Sequence, residues 1–125
     1  MHGEITILLA DSRGLIRAGI RTLLSTIKNL IIVEEAETGI KAYDLARKQK
    51  PDLLILDADL PVLNGLEAWR RVRVSCPRIK FIVLSYLSGD AVVQEFLRAG
   101  AVGFVVKDQA KKELIDFAKK NNITW

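Results

Sequence analysis

Cysteine is almost absent: the 125-residue chain has one, Cys76, which excludes a disulfide-stapled scaffold. No apolar run reaches the roughly 18 residues that a membrane-spanning helix needs. The opening Met1-His2-Gly3-Glu4 lacks the basic region and long apolar stretch of a secretory signal, so a cytoplasmic protein without membrane contact is expected. An excess of one charge is also missing. Lys and Arg total 19 against 15 Asp and Glu, leaving +4 and a pI near 9.4, a surplus that reads as a solvated surface and argues against direct nucleic-acid contact. Glycine is not clustered where a dinucleotide site would need it, because the turn Ala10-Asp11-Ser12-Arg13-Gly14 puts an acid where phosphate should approach. With no linker, low-complexity tract or internal repeat, residues 1–125 read as one domain.

What is present is apolar. Half the residues are hydrophobic, 27% are charged, and mean hydropathy is +0.18, which excludes intrinsic disorder. A chain of this length buries roughly 68% of its unfolded surface, enough for a core without staples. Five short runs rich in Ile, Val and Leu punctuate it: Ile5 to Ala10, Leu30 to Val33, Leu53 to Leu56, Ile79 to Leu84 and Val102 to Val106. Runs that are apolar throughout, rather than alternating, fit strands buried on both faces of a parallel sheet. Between them the apolar spacing is helical. Ile16, Ile20, Leu23, Leu24 and Ile27 form the clearest stripe, followed by Tyr43 with Ala46, Leu66 with Trp69, Val92 with Phe96, and Leu114 with Ala118. Thr38, Ser88 or Asp90, and Asp108 suit helix starts, Pro51 closes the second helix, and Pro77 separates the third from strand four. Five strand–helix units of this kind predict an open, doubly wound α/β sheet with helices on both faces.

Ligands of such sheets bind outside the carboxyl ends of the strands, near the point where strand order reverses. Four of the five apolar runs end on polar residues: Asp11 and Ser12 after the first, Asp57 and Asp59 after the third, Ser85 after the fourth, and Lys107 after the fifth. Any one of them alone reads as a loop or cap residue. Together at one edge they read as a site.

Three segments carry a family resemblance: Leu-Leu-Ala-Asp at 8–11, Pro-Asp-Leu-Leu-Ile-Leu-Asp-Ala-Asp-Leu-Pro-Val-Leu-Asn-Gly-Leu-Glu-Ala at 51–68, and Ala-Gly-Ala-Val-Gly-Phe-Val-Val-Lys-Asp at 99–108. They resemble the receiver domain of bacterial two-component response regulators over nearly the whole chain. Within that family, Ile-Arg-Ala-Gly-Ile-Arg-Thr-Leu-Leu at 16–24 and the Lys107-Asp108 pair are similar to the subfamily whose receivers precede a helix-turn-helix DNA-binding domain. The resemblance implies a five-stranded flavodoxin-like sheet of order 2-1-3-4-5 and a signalling switch rather than an enzyme. It implies that Asp57 accepts a phosphoryl group from a sensor histidine kinase, with magnesium held by Asp11, Asp57 and the backbone carbonyl of Asp59. Lys107 then pairs with the phosphoryl group, Ser85 swings to hydrogen-bond it, and Phe104 matches the aromatic whose rotamer follows. A homodimer through the fourth helix, fifth strand and fifth helix, and a DNA-binding output domain beyond residue 125, are further implied.

One residue departs from the pattern. The family usually has two acids after strand one, whereas Asp11 is followed here by Ser12, which weakens the expected hold on magnesium. Asp59 offers a replacement carboxylate. A pseudo-receiver that signals by protein contacts without phosphorylation is the alternative this departure raises. Leu-Asp-Ala-Asp at 56–59 also resembles the signature of haloacid dehalogenase phosphatases, but that signature belongs on a first strand and expects Thr or Val at Leu60. Cys76, His2, Trp69 and the run Arg70, Arg71, Arg73 are assigned no chemistry.

Overall fold

The computed structural model describes residues 3–85 and 90–106. Along the chain these form β1 (Ile5–Ala10), α1 (Gly14–Leu24), β2 (Leu30–Ala36), α2 (Gly39–Gln49), β3 (Leu53–Asp57), α3 (Gly65–Ser75), β4 (Lys80–Ser85), α4 (Asp90–Arg98) and β5 (Gly103–Val106). The expected fifth helix with Leu114, Ala118 and Asp108, the Ser88 helix start, His2 and Lys107 lie outside the described residues.

All strand pairs are parallel and the order is β2-β1-β3-β4-β5, as expected. The central strands feed two cores, one on each side. Leu8, Leu54, Leu56, Phe81 and Val83 face Ala42, Ala46, Ala68, Trp69, Val72 and Phe96 of α2, α3 and α4. Ile7, Leu9, Leu53, Ile55, Ile82 and Leu84 face Ile20, Leu23 and Leu24 of α1. Successive residues of a strand point to opposite faces, so strands covered on both sides must be apolar without a break.

The edge strand β2 departs from that rule. It runs past Val33 through Glu34 and Glu35 to Ala36, and Ile31 and Val33 are each 36% exposed. Its register against β1 slips between Ile7 and Leu8, which pair with Ile32 and Glu34. Glu35 is tolerated because it accepts from Arg17 Nε at 2.9 Å and Arg21 Nε at 3.0 Å, two cations on α1. Those arginines, Arg21 first, hold the Glu35 carboxyl below the ordinary carboxylate range. A carboxyl whose folded pKa is depressed contributes stability above its unfolded pKa and loses it as pH falls through the folded value. Glu35→Gln should therefore cost about 0.5–1 kcal/mol near neutral pH, and in urea titrations that difference should shrink as pH falls through and below the ordinary carboxylate range.

Helix ends follow local chemistry. Thr38 caps α2 as expected, its Oγ1 accepting from the Lys41 amide at 3.0 Å, and Lys50 ends the helix at φ 45° ahead of Pro51. Asn64, not anticipated, caps α3 by accepting from the Glu67 amide at 3.0 Å. Ile27 falls outside α1: the helix stops at Leu24, the Thr26 and Ile27 amides close tighter turns onto the Leu23 and Leu24 carbonyls, and Ile27 packs on the same core from the loop. At the far end of α4, Gly100 at φ 99° and paired bonds from Gly100 to Leu97 and Ala101 to Phe96 make a Schellman stop. The Ala99 carbonyl there accepts from Trp69 Nε1 and, at 3.1 Å, from Arg73 Nη1 of α3. Trp69 also stacks on Phe81 with centroids 4.7 Å apart, and the row continues through Phe96 to Phe104.

Candidate functional site

The chain turns to opposite sides of β1: β2 lies on one flank and β3 on the other, making their junction the switch point of the sheet. Register fixes what stands there. Ala10 pairs with Leu56, so Asp11 and Asp57 each follow one residue later at adjacent strand ends. Asp57 pairs with Leu84, and Ser85 follows on the next strand. Asp11, Asp57 and Ser85 are 0%, 2% and 0% exposed. Two buried carboxylates side by side are costly, and such groups are held in proteins by positive charge or a metal ion.

Asp11 is oriented by its own turn. Its Oδ1 accepts from the Arg13 amide at 2.9 Å and faces Arg13 Nε at 3.7 Å, while its main-chain carbonyl accepts from Arg17 Nη1 at 2.7 Å. Arg17 thus joins the end of β1 to Glu35 of β2. Asp57 Oδ1 accepts from the Asp59 amide at 3.1 Å, whereas Asp59 is exposed, as is Ser12. Phe104 stands on β5 opposite Val83, half-buried, with its ring 6.0 Å from that of Phe96. The structure therefore brings Asp11, Asp57 and Ser85 to one edge, with Asp59 in the adjoining loop and Phe104 a strand away.

Two glycines bring the helices against this edge. A Cβ on Gly65 would lie 2.3 Å from the carbonyl oxygen of Asp57, and the Gly65 amide donates to Ala58 at 3.1 Å. A Cβ on Gly39 would lie 1.8 Å from the carbonyl oxygen of Leu63. The Gly39 and Ile40 amides, among those a helix start leaves without helical partners, donate to the Pro61 and Val62 carbonyls. That anchorage holds Val62 and Leu63 at φ 52° and 99°, conformations that cost non-glycine residues of order 1–3 kcal/mol each. Gly65 stands in the motif of the resemblance, but only the close approach explains it. Nothing in the sequence marks Arg13 or Arg17 as site residues, since their contacts depend on how α1 is folded back over β1.

The donors gathered here are all oxygen. Among the described residues no group of three or more His, Cys, Asp and Glu is placed to hold a metal ion by itself. Magnesium fits such a set, because it is held by one or two carboxylates and keeps several waters.

A doubly wound sheet with acids at its switch point defines a flavodoxin-like α/β domain of the acidic-site kind. Residues 7–119 match the family model of the response regulator receiver domain, and the chain belongs to that family. Response regulator GacA of Pseudomonas aeruginosa is 34% identical over 111 residues, covering 89% of this chain and 52% of the relative. The response regulator domain of Thermotoga maritima CheB superposes with a TM-score of 0.84 at 26% identity, covering 94% of this chain and 95% of that one. A two-component response regulator of the LuxR family from Aurantimonas sp. SI85-9A1 gives 0.88 at 28%, covering 95% and 85%. The chain spans about half the length of the curated relatives it matches. It is a receiver domain of two-component response regulators, a signalling module. Among the described residues no helix is long and apolar enough to cross a membrane.

Proposed function

We propose that the domain is switched by phosphorylation of Asp57, with a sensor histidine kinase as donor. The observation that carries this reading is the burial of Asp57 at the end of β3 beside Asp11, at the switch point of the sheet. One carboxylate oxygen of Asp57 bonds to phosphorus as the bond from phosphorus to the donor imidazole nitrogen breaks. The nitrogen keeps the electron pair and takes up a proton. Transfer of this kind asks the protein mainly for positioning and charge neutralisation. The Asp59 amide fixes one Asp57 oxygen, and Arg17 holds the Asp11 turn in place. Asp11, Asp57 and the Asp59 carbonyl would hold magnesium, which would supply positive charge to neutralise the phosphoryl oxygens. Lys107 pairs with the phosphoryl group; Ser85 donates a hydrogen bond to it, and Phe104 turns inward in response. The readout is a homodimer or docking surface on the fourth helix, fifth strand and fifth helix, with a DNA-binding output domain in the whole cytoplasmic protein and no nucleic-acid contact by this domain.

Incubation with acetyl phosphate and magnesium, followed by intact-mass measurement, tests the reading. A gain of one phosphoryl group is expected, and no gain at any concentration favours the pseudo-receiver. Ser12→Asp should tighten magnesium binding by about tenfold, since it restores one negative charge to a divalent site. Isothermal titration checks this; an unchanged affinity would mean that Asp59 already completes the site.

A further inference from the structure

We propose that Arg13 is a built-in counter-cation of the acidic site, standing against Asp11 where a divalent ion must bind and thereby setting the metal affinity of this receiver. The inference rests on the reading of the site as a magnesium-dependent phosphoryl acceptor. Arg13 Nε lies 3.7 Å from Asp11 Oδ1, the same oxygen that accepts from the Arg13 amide at 2.9 Å. The Asp11 side chain is 0% exposed and that of Arg13 is 47% exposed, so the pair has one fixed member and one that can leave.

A half-exposed guanidinium 3.7 Å from its partner leaves at little cost, because water already solvates much of it and screens the pair. Removing a counter-charge from a fully buried carboxylate is far more expensive. Arg13 therefore gives way when another cation takes its place, which is the condition for competition. The charges agree with this. Asp11, Asp57 and Arg13 together carry one net negative charge, as three carboxylates do once a divalent ion is bound. Where the family commonly has a further acid, this chain has Ser12, and a guanidinium follows at the next position. Both changes lower the affinity for a divalent ion, and neither disturbs the main-chain bond that orients Asp11.

Calorimetric titration of the full chain with magnesium chloride at low ionic strength reads the competition without any phosphoryl donor. Arg13→Ala should bind the ion about fivefold more tightly than the parent, the scale of one partly exposed charge pair. Arg13→Lys, which keeps the charge, should stay within about twofold of the parent. The gain in Arg13→Ala should shrink as salt is raised toward about 1 M. Equal affinity in the parent and Arg13→Ala overturns the proposal while leaving phosphoryl acceptance at Asp57 intact. An equal gain in Arg13→Ala and Arg13→Lys also overturns it, since lost packing rather than lost charge would then be responsible. No binding by either the parent or Arg13→Ala overturns it together with the magnesium reading. If Arg13→Ala gains affinity and Asp57 takes no phosphoryl group, the competition stands and the acceptor reading falls.

Discussion

Asp57→Asn should abolish the uptake of phosphoryl groups from acetyl phosphate, a fall of about a thousandfold or more, or ~4 kcal/mol of barrier. An amide oxygen keeps the shape of the carboxylate and still accepts from the Asp59 amide, which donates to Asp57 at 3.1 Å. It offers no charged nucleophile. The substitution also removes one of two carboxylates buried at adjacent strand ends, so thermal unfolding should be unchanged or slightly later. Lost labelling with retained stability separates a missing nucleophile from a damaged fold. Labelling of Asp57→Asn at the parent's rate would move the acceptor elsewhere, with Asp11 and Asp59 the residues to map by peptide mass.

Gly39→Ala should destabilise the domain by about 3 kcal/mol or more, read as the shift of the urea midpoint at constant slope. The added methyl would meet the Leu63 carbonyl oxygen at 1.8 Å and its carbon at 2.7 Å, atoms of backbone that no side-chain rotation can remove. Relief requires α2 to back away from the loop, breaking the bonds from Gly39 and Ile40 to Pro61 and Val62. With those gone, the left-handed conformations of Val62 and Leu63 lose their anchor. Gly19→Ala is the matched control. Nothing lies within 4 Å of its added carbon, so the substitution in α1 should stabilise by about 0.5–1 kcal/mol. A Gly39→Ala variant as stable as the parent would show that the α2 start is not packed against the loop.

Continuous apolar runs were enough to find β1, β3 and β4, because strands covered on both faces leave no room for polar alternation. The same reasoning found β2 but ended it at Val33, short of Ala36: Glu34 and Glu35 break the apolar run, and Arg17 and Arg21 meet Glu35 across the gap from α1. Ile27 keeps helical spacing yet lies past the helix end, since burial of a side chain on the core needs no helical backbone. At the site, Asp11 and Asp57 were legible as polar stops on apolar strands. Their partners were not: Arg13 and Arg17 are typical surface residues by type and spacing, and only the turn after β1 brings them to Asp11. Val62 and Leu63 were opaque for a related reason, as neither residue type advertises positive φ and the anchoring amides come from α2.

The double acceptance at the Ala99 carbonyl makes α4 a lever with a fixed fulcrum. Trp69 and Arg73 fasten its last turn to α3, and Trp69 is itself wedged against Phe81 of the sheet. A nine-residue helix is about 13 Å long. A tilt of about 5° pivoting on the Ala99 end would therefore move the Asp90 end by about 1 Å, while the contacts of Trp69 and Arg73 stay in place.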